Sequence, residues 1–159
     1  MGHFIDGFVA KYELLAAAAK NVPEARVCRI GLGYGFFPMT DAVTCEDDSA
    51  ANYDFLYRLT CPMANWAVEN SKQFPIAYVA TDYYGGRGSQ AAIVWQNGKA
   101  VFGPVETKEF DEPGPPLLEL AINRALRELG VQRGTARDEF EATGLGGGRN
   151  NEDWAASAE

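Results

Sequence analysis

A carboxylate, a guanidinium and a carboxamide stand close together in the stretch YVATDYYGGRGSQ. They are Asp82, Arg87 and Gln90, with Tyr83 and Tyr84 beside them. Read as a strand, the stretch puts Tyr78, Ala80, Asp82 and Tyr84 on one face and Val79, Thr81 and Tyr83 on the other. Three uses suit these residue types. Asp82 and Arg87 can pair across the turn as a structural, charge-assisted contact. With Tyr83, Tyr84 and Gln90 they can form a recognition surface, because tyrosine and arginine anchor interfaces. Asp82 with Arg87, or other carboxylates, can also serve acid–base chemistry in a cleft beside the sheet. The structural use carries the most weight, since polar groups at strand ends mostly serve turns.

A second acidic group lies between Thr40 and Tyr57, where Asp41, Glu46, Asp47, Asp48 and Asp54 occur with no basic residue. A calcium loop needs carboxylates at alternate positions and a glycine at the turn, and that spacing is absent. Asp47 and Asp48 are candidates for docking a positive partner. The competing use is a solvated loop, and charge runs usually face water.

Other chemistries lack their residues. His3 is the only histidine, and Cys28, Cys45 and Cys61 are far apart, so no zinc ligand set is expected. Gly85-Gly86-Arg87-Gly88-Ser89 has glycines but no lysine and leads into a strand, unlike a phosphate loop. No cofactor and no metal is expected. A formal charge of −8 opposes a nucleic-acid ligand and favours a basic protein partner. No apolar run approaches the ~20 residues of a membrane span. The three scattered cysteines fit a reducing compartment, and the expectation is a cytoplasmic protein.

These groups need elements to hold them. The residues from Phe74 to Glu106 read as a three-stranded meander. Asn97-Gly98 is a two-residue turn, and it sets Gln96 against Lys99, Trp95 against Ala100, Val94 against Val101 and Ile93 against Phe102. Gly85 to Gly88 reads as a looser turn. A strand is expected near 3–10, a helix over 11–20, a strand over 25–34 and an irregular stretch over 33–54. Thr60 is a candidate N-cap for a helix to about Lys72. Pro115-Pro116 opens an amphipathic helix that ends at Gly130. A short helix is expected over 135–142, capped by Thr135. Residues 1–145 form one domain, followed by a glycine-rich polar tail over 146–159. The class is α+β: a mostly antiparallel sheet containing the meander (about 75–106), with helices packed on one face.

The segments AYVATDYYGGRGSQAAIVW, AINRALRELGV and DEFEATGLGGGRNNEDW resemble a family of small uncharacterised bacterial proteins. That family shares a YFGG-G-Q-A-VW segment, an INxALRxLGV helix and a C-terminal EF…GL…R…EDW segment. Tyr84 stands here where phenylalanine is more usual. The resemblance runs from Ala77 to Trp154. By analogy with small acidic proteins encoded beside toxins, it implies an immunity-like binding protein. The expected function is therefore non-enzymatic protein binding, with Asp82, Tyr83, Tyr84, Arg87, Gln90, Asp47 and Asp48 as contact residues and a basic toxin as partner. The alternatives are a small enzyme using Asp82 with Arg87 and an accessory protein without catalysis.

Overall fold

Segments carrying valine, isoleucine and aromatic residues, such as Ile76–Tyr84 and Tyr34–Pro38, form one antiparallel sheet. The computed structural model describes residues 2–44, 56, 58–109 and 114–158. Its strands are β1 (Gly2–His3), β2 (Asp6–Lys11), β3 (Cys28–Arg29), β4 (Tyr34–Pro38), β5 (Ile76–Tyr84), β6 (Arg87–Gln96) and β7 (Lys99–Lys108). The order across the sheet is β3-β4-β2-β5-β6-β7, with β1 also on β5. The helices are α1 (Tyr12–Ala19), α2 (Cys61–Asn70), α3 (Ala121–Glu128), α4 (Glu139–Thr143) and α5 (Asn151–Ser157). The class is α+β with an antiparallel sheet, as expected.

Both turns of the meander have two central residues at positive φ: Asn97 and Gly98 at 55° and 82°, Gly85 and Gly86 at 65° and 81°. The glycine turn is therefore as tight as the asparagine–glycine turn, and Arg87 and Gly88 already belong to β6. Gln96 faces Lys99 and Trp95 faces Ala100, as the turn dictates. Beyond them the register slips, so that Val94 faces Phe102 rather than Val101. A second irregularity follows between Val94 and Ala92, where Gly103 sits: its φ is 78°, and a Cβ there would lie 2.4 Å from the Ala92 carbonyl oxygen. A bulge shifts pairing without showing in the alternation of residue types.

Helices cover both faces of the sheet, not one. Leu15 and Ala19 of α1 and Met63, Ala64 and Ala67 of α2 pack with Phe8, Phe37, Tyr78, Ile93 and Trp95. On the opposite face, Ala121, Ile122, Ala125 and Leu126 of α3 pack with Val9, Phe36, Val79, Ala92 and Val94. The central strands are apolar on both sides, so each side needs a cover. Strand β4 lies inside the stretch expected to be irregular. Its Phe36 and Phe37 are fully buried on opposite faces, which hides the strand period.

Helix α3 begins later than its prolines suggest. Leu117–Glu119 form a 3₁₀ turn and Leu120 is extended. The helix starts where β-sheet side chains meet its free N–H groups: Thr107 Oγ1 accepts from Ala121 N at 3.0 Å, and Gln90 Oε1 accepts from Ile122 N at 3.0 Å. Thr60 caps α2 as expected, accepting from Met63 N at 3.3 Å. The cap of α4 is Asp138 rather than Thr135, through Glu141 N at 2.8 Å. The C-terminal segment is not irregular throughout. Asn150 caps α5 through Asp153 N at 2.8 Å, and Phe4 N donates to the Arg149 carbonyl at 2.7 Å. Its anchors are long-range partners, which composition does not reveal.

Removing the Gln90 cap tests this account. Gln90→Ala is expected to destabilise the fold by about 1–2 kcal/mol. Tyr84→Ala, at a side chain 76% exposed, is expected to stay within about 0.5 kcal/mol of wild type. Urea unfolding of both variants makes the comparison.

Candidate functional site

The size of side chains falls along one face of the sheet. Tyr78 faces Ile93 there, and the next pair along is Ala80 with Ala91. Asp82 with Ser89 follows. On the flanking strands Asp6 faces Ala80 and Glu106 faces Ala91. One row across four strands thus reads Asp6, Ala80, Ala91, Glu106. The next reads Asp82, Ser89 and Lys108. The register of β1 and β2 on β5 is continuous, which sets Phe4 opposite Asp82. Helices α1 and α2 cover the bulky rows, and the rows of small and polar residues stay open.

The result is a cleft of about 410 Å³. Its floor is Ala80 and Ala91. Phe4, Ile5 and Leu56 supply apolar wall, and Asp82, Glu106, Asp41, Glu152, Asp6 and Arg58 supply charge. Among the described residues, five carboxylates therefore meet one guanidinium.

Arg58 is already committed. Its guanidinium contacts Asp41 Oδ1 at 2.6 Å and donates to the Met39 carbonyl at 2.9 Å. Its Nε lies 3.5 Å from Asp6 Oδ1. Asp6 is buried and fully engaged. Tyr78 donates its hydroxyl to Asp6 Oδ2 at 2.5 Å, and Asn151 Nδ2 donates to Asp6 Oδ1 at 2.7 Å. Asn151 also accepts from Asp6 N at 2.9 Å and donates to Met39 O at 2.9 Å. Burial pushes the Asp6 carboxyl up, while Tyr78, Asn151 and Arg58 hold it back. The Tyr78 hydroxyl is pushed up by its complete burial and by the Asp6 charge.

The far end of the cleft differs. Asp82 and Glu152 make no ion pair among the described residues. Glu106 Oε1 lies 3.6 Å from Lys108 Nζ, on an arm whose side chain is 56% exposed.

The expected contact residues do not gather in one place. Asp82 lines the cleft. Tyr84 and Arg87 face each other on the same side, at the exposed turn. Arg87 makes no ion pair with Asp82, and Arg58 is the guanidinium of the cleft instead. Tyr83 and Gln90 point to the other face. Gln90 is spent on capping α3. Tyr83 is half-buried, and burial followed by Glu109 pushes its hydroxyl up. Asp47 and Asp48 lie outside the described residues. Asp6, Arg58, Glu106 and Asn151 escaped sequence reasoning. The one local signal was a carboxylate, Asp6, inside an apolar strand.

Among the described residues no cluster of histidine, cysteine or acidic side chains could hold a metal ion. Cys28 is buried, with its thiol donating to the Trp154 carbonyl at 3.0 Å. Burial raises it, which leaves it a poor nucleophile. No described helix is long and apolar enough to cross a membrane.

Two outcomes follow from the Asp6 network. Asn151→Ala strands the Asp6 N–H and takes the Nδ2 donor from the buried Asp6 Oδ1, leaving the Met39 carbonyl to Arg58 alone, and is expected to cost about 2–4 kcal/mol in urea unfolding. Because its carboxyl is raised on folding, Asp6 binds its proton more tightly in the folded than in the unfolded state. Its contribution to stability is full at low pH and declines as pH climbs past the ordinary carboxylate range through the folded value. Wild type should therefore lose stability relative to Asp6→Asn across that window. Parallel stability–pH profiles of the two proteins would overturn this.

No family model matches the chain, and neither the curated proteins nor the solved structures hold a match to it.

Proposed function

We propose that this chain is a non-enzymatic protein-binding module whose cleft-bearing face docks a basic protein, in the manner of an immunity protein neutralising a toxin. The observation that carries the reading is the charge imbalance of the cleft: among the described residues, five carboxylates surround one guanidinium that is already paired. A net charge of −8 adds a long-range field of the same sign. Such a field accelerates encounter with a basic partner and repels acidic ones. The rim supplies Tyr84, 76% exposed, and Phe4, 46% exposed, as aromatic contacts.

Catalysis by a carboxyl in a cleft is the second reading. Asp6 favours it, since a raised carboxyl beside a cavity is a pattern of general acids. Both Asp6 oxygens, however, already accept hydrogen bonds from Tyr78 and Asn151. That arrangement suits a structural lock better than a group that must exchange protons with a substrate.

The test is co-expression with the product of the adjoining gene, scored by co-purification and by rescue of growth. With a partner in hand, Asp82→Lys combined with Glu106→Lys should slow association about tenfold at low salt, and less at high salt. Absence of both co-purification and rescue would end this reading.

A further inference from the structure

We infer that the open end of the cleft receives the side chain of one arginine of the docked partner, held between Asp82 and Glu106. The inference rests on the binding reading above and names its anchor.

The protein displays the arrangement once already. At one end of the cleft, Arg58 lies between two carboxylates, 3.5 Å from Asp6 and 2.6 Å from Asp41. At the other end, Asp82 on β5 and Glu106 on β7 line the cleft from adjacent rows, and among the described residues no guanidinium pairs with either. Three strand spacings of about 4.8 Å separate Asp6 from Glu106, so the floor between the acidic ends spans roughly 14 Å of backbone. Ala80 and Ala91 fill that floor with methyl groups. A long side chain with an aliphatic stem and a charged head matches it: the stem lies on the alanines and the head reaches the carboxylates.

Arginine fits better than lysine for two reasons. Its planar fork engages two carboxylates at once, whereas an ammonium acts as a point charge. Its flat face also stacks on aromatic rings, and Phe4 stands on the cleft wall opposite Asp82. Cations lie over rings elsewhere in the protein as well: Arg29 lies 3.8 Å over the Tyr12 ring, Lys11 4.3 Å over the Tyr34 ring and Arg124 4.9 Å over the Phe102 ring.

Lys108 is the internal competitor. It contacts Glu106 at 3.6 Å from an exposed arm. Exposed pairs of this kind are worth about 1 kcal/mol or less, so an incoming guanidinium can displace it. Removing Lys108 should strengthen the site, an outcome that a purely structural role for Glu106 would not produce.

The experiment is an amide NMR titration of the full chain with the peptide acetyl-Gly-Arg-Gly-amide and with its lysine and citrulline analogues. The arginine peptide is expected to give saturable shifts centred on Ala80, Asp82, Ser89 and Ala91. The citrulline peptide, equal in shape but uncharged, should bind at least about tenfold more weakly, as should the arginine peptide to Asp82→Asn and to Glu106→Gln. Lys108→Gln should tighten binding by about threefold. Equal binding of citrulline, shifts centred elsewhere, or unchanged affinity in both carboxamide variants would overturn the proposal. A lysine peptide that binds equally well and is lost in the same variants would overturn the choice of arginine and leave the basic-partner reading standing. Growth rescue that survives in Asp82→Asn/Glu106→Gln would remove the anchor without touching the module's function.

Discussion

A carboxylate taken out of water costs several kcal/mol unless its oxygens are met by donors. Asp6 sits in the interior of the sheet under that constraint. The donors come from three distant places: Tyr78 on the adjacent strand, Asn151 at the start of the last helix, and Arg58, which follows the acidic stretch of the sequence. Each donor brings its own segment with it. Asn151 and Arg58 also hold the Met39 carbonyl, which closes the end of β4. One buried charge thus joins β2, the middle of the chain and the C-terminal helix. The cleft inherits its geometry from this knot, because its walls are the segments that the knot pulls together.

The cleft itself comes from a gradient in side-chain volume. Phe8, Tyr78, Ile93 and Trp95 fill the space beneath α1 and α2. One row further, alanines leave that space empty, and the following row is polar. A helix cannot pack on alanines flanked by carboxylates without burying those charges, so the cover stops where the volume drops. The opposite face shows no such drop. There Val79, Ala92 and Val94 meet α3, and Gln90 and Thr107 extend from the same face to cap it. The two sides of one set of strands therefore do different work. One is closed by packing, and the other is held open by composition.

Much of the meander was legible locally. Asn97-Gly98 demands positive φ at both positions, and the structure has it. The amphipathic stripe of Ile122, Ala125 and Leu126 announced α3, and Thr60 announced α2. Register beyond Trp95 was not legible, because Val101 and Gly103 read as ordinary strand residues although the pairing slips on either side of Phe102. The site was legible only at Asp82. Arg87 is near it in sequence, but the turn carries it to the rim, while Arg58 arrives from another segment.

What the order of residues determined alone is what depends on neighbours within a few positions: the Asn97-Gly98 turn, the Thr60 cap, the alternation of β5 and net charge. These follow from backbone sterics and short-range hydrogen bonds, which need no knowledge of the rest of the chain. What tertiary structure decided is which polar groups meet. Asn151 and Asp6 form their bonds across nearly the whole chain, and Gln90 became a helix cap rather than a contact residue only because α3 docks above it. Burial makes such pairings obligatory, since a stranded polar group is costly, and burial is a property of the packed molecule and not of any segment.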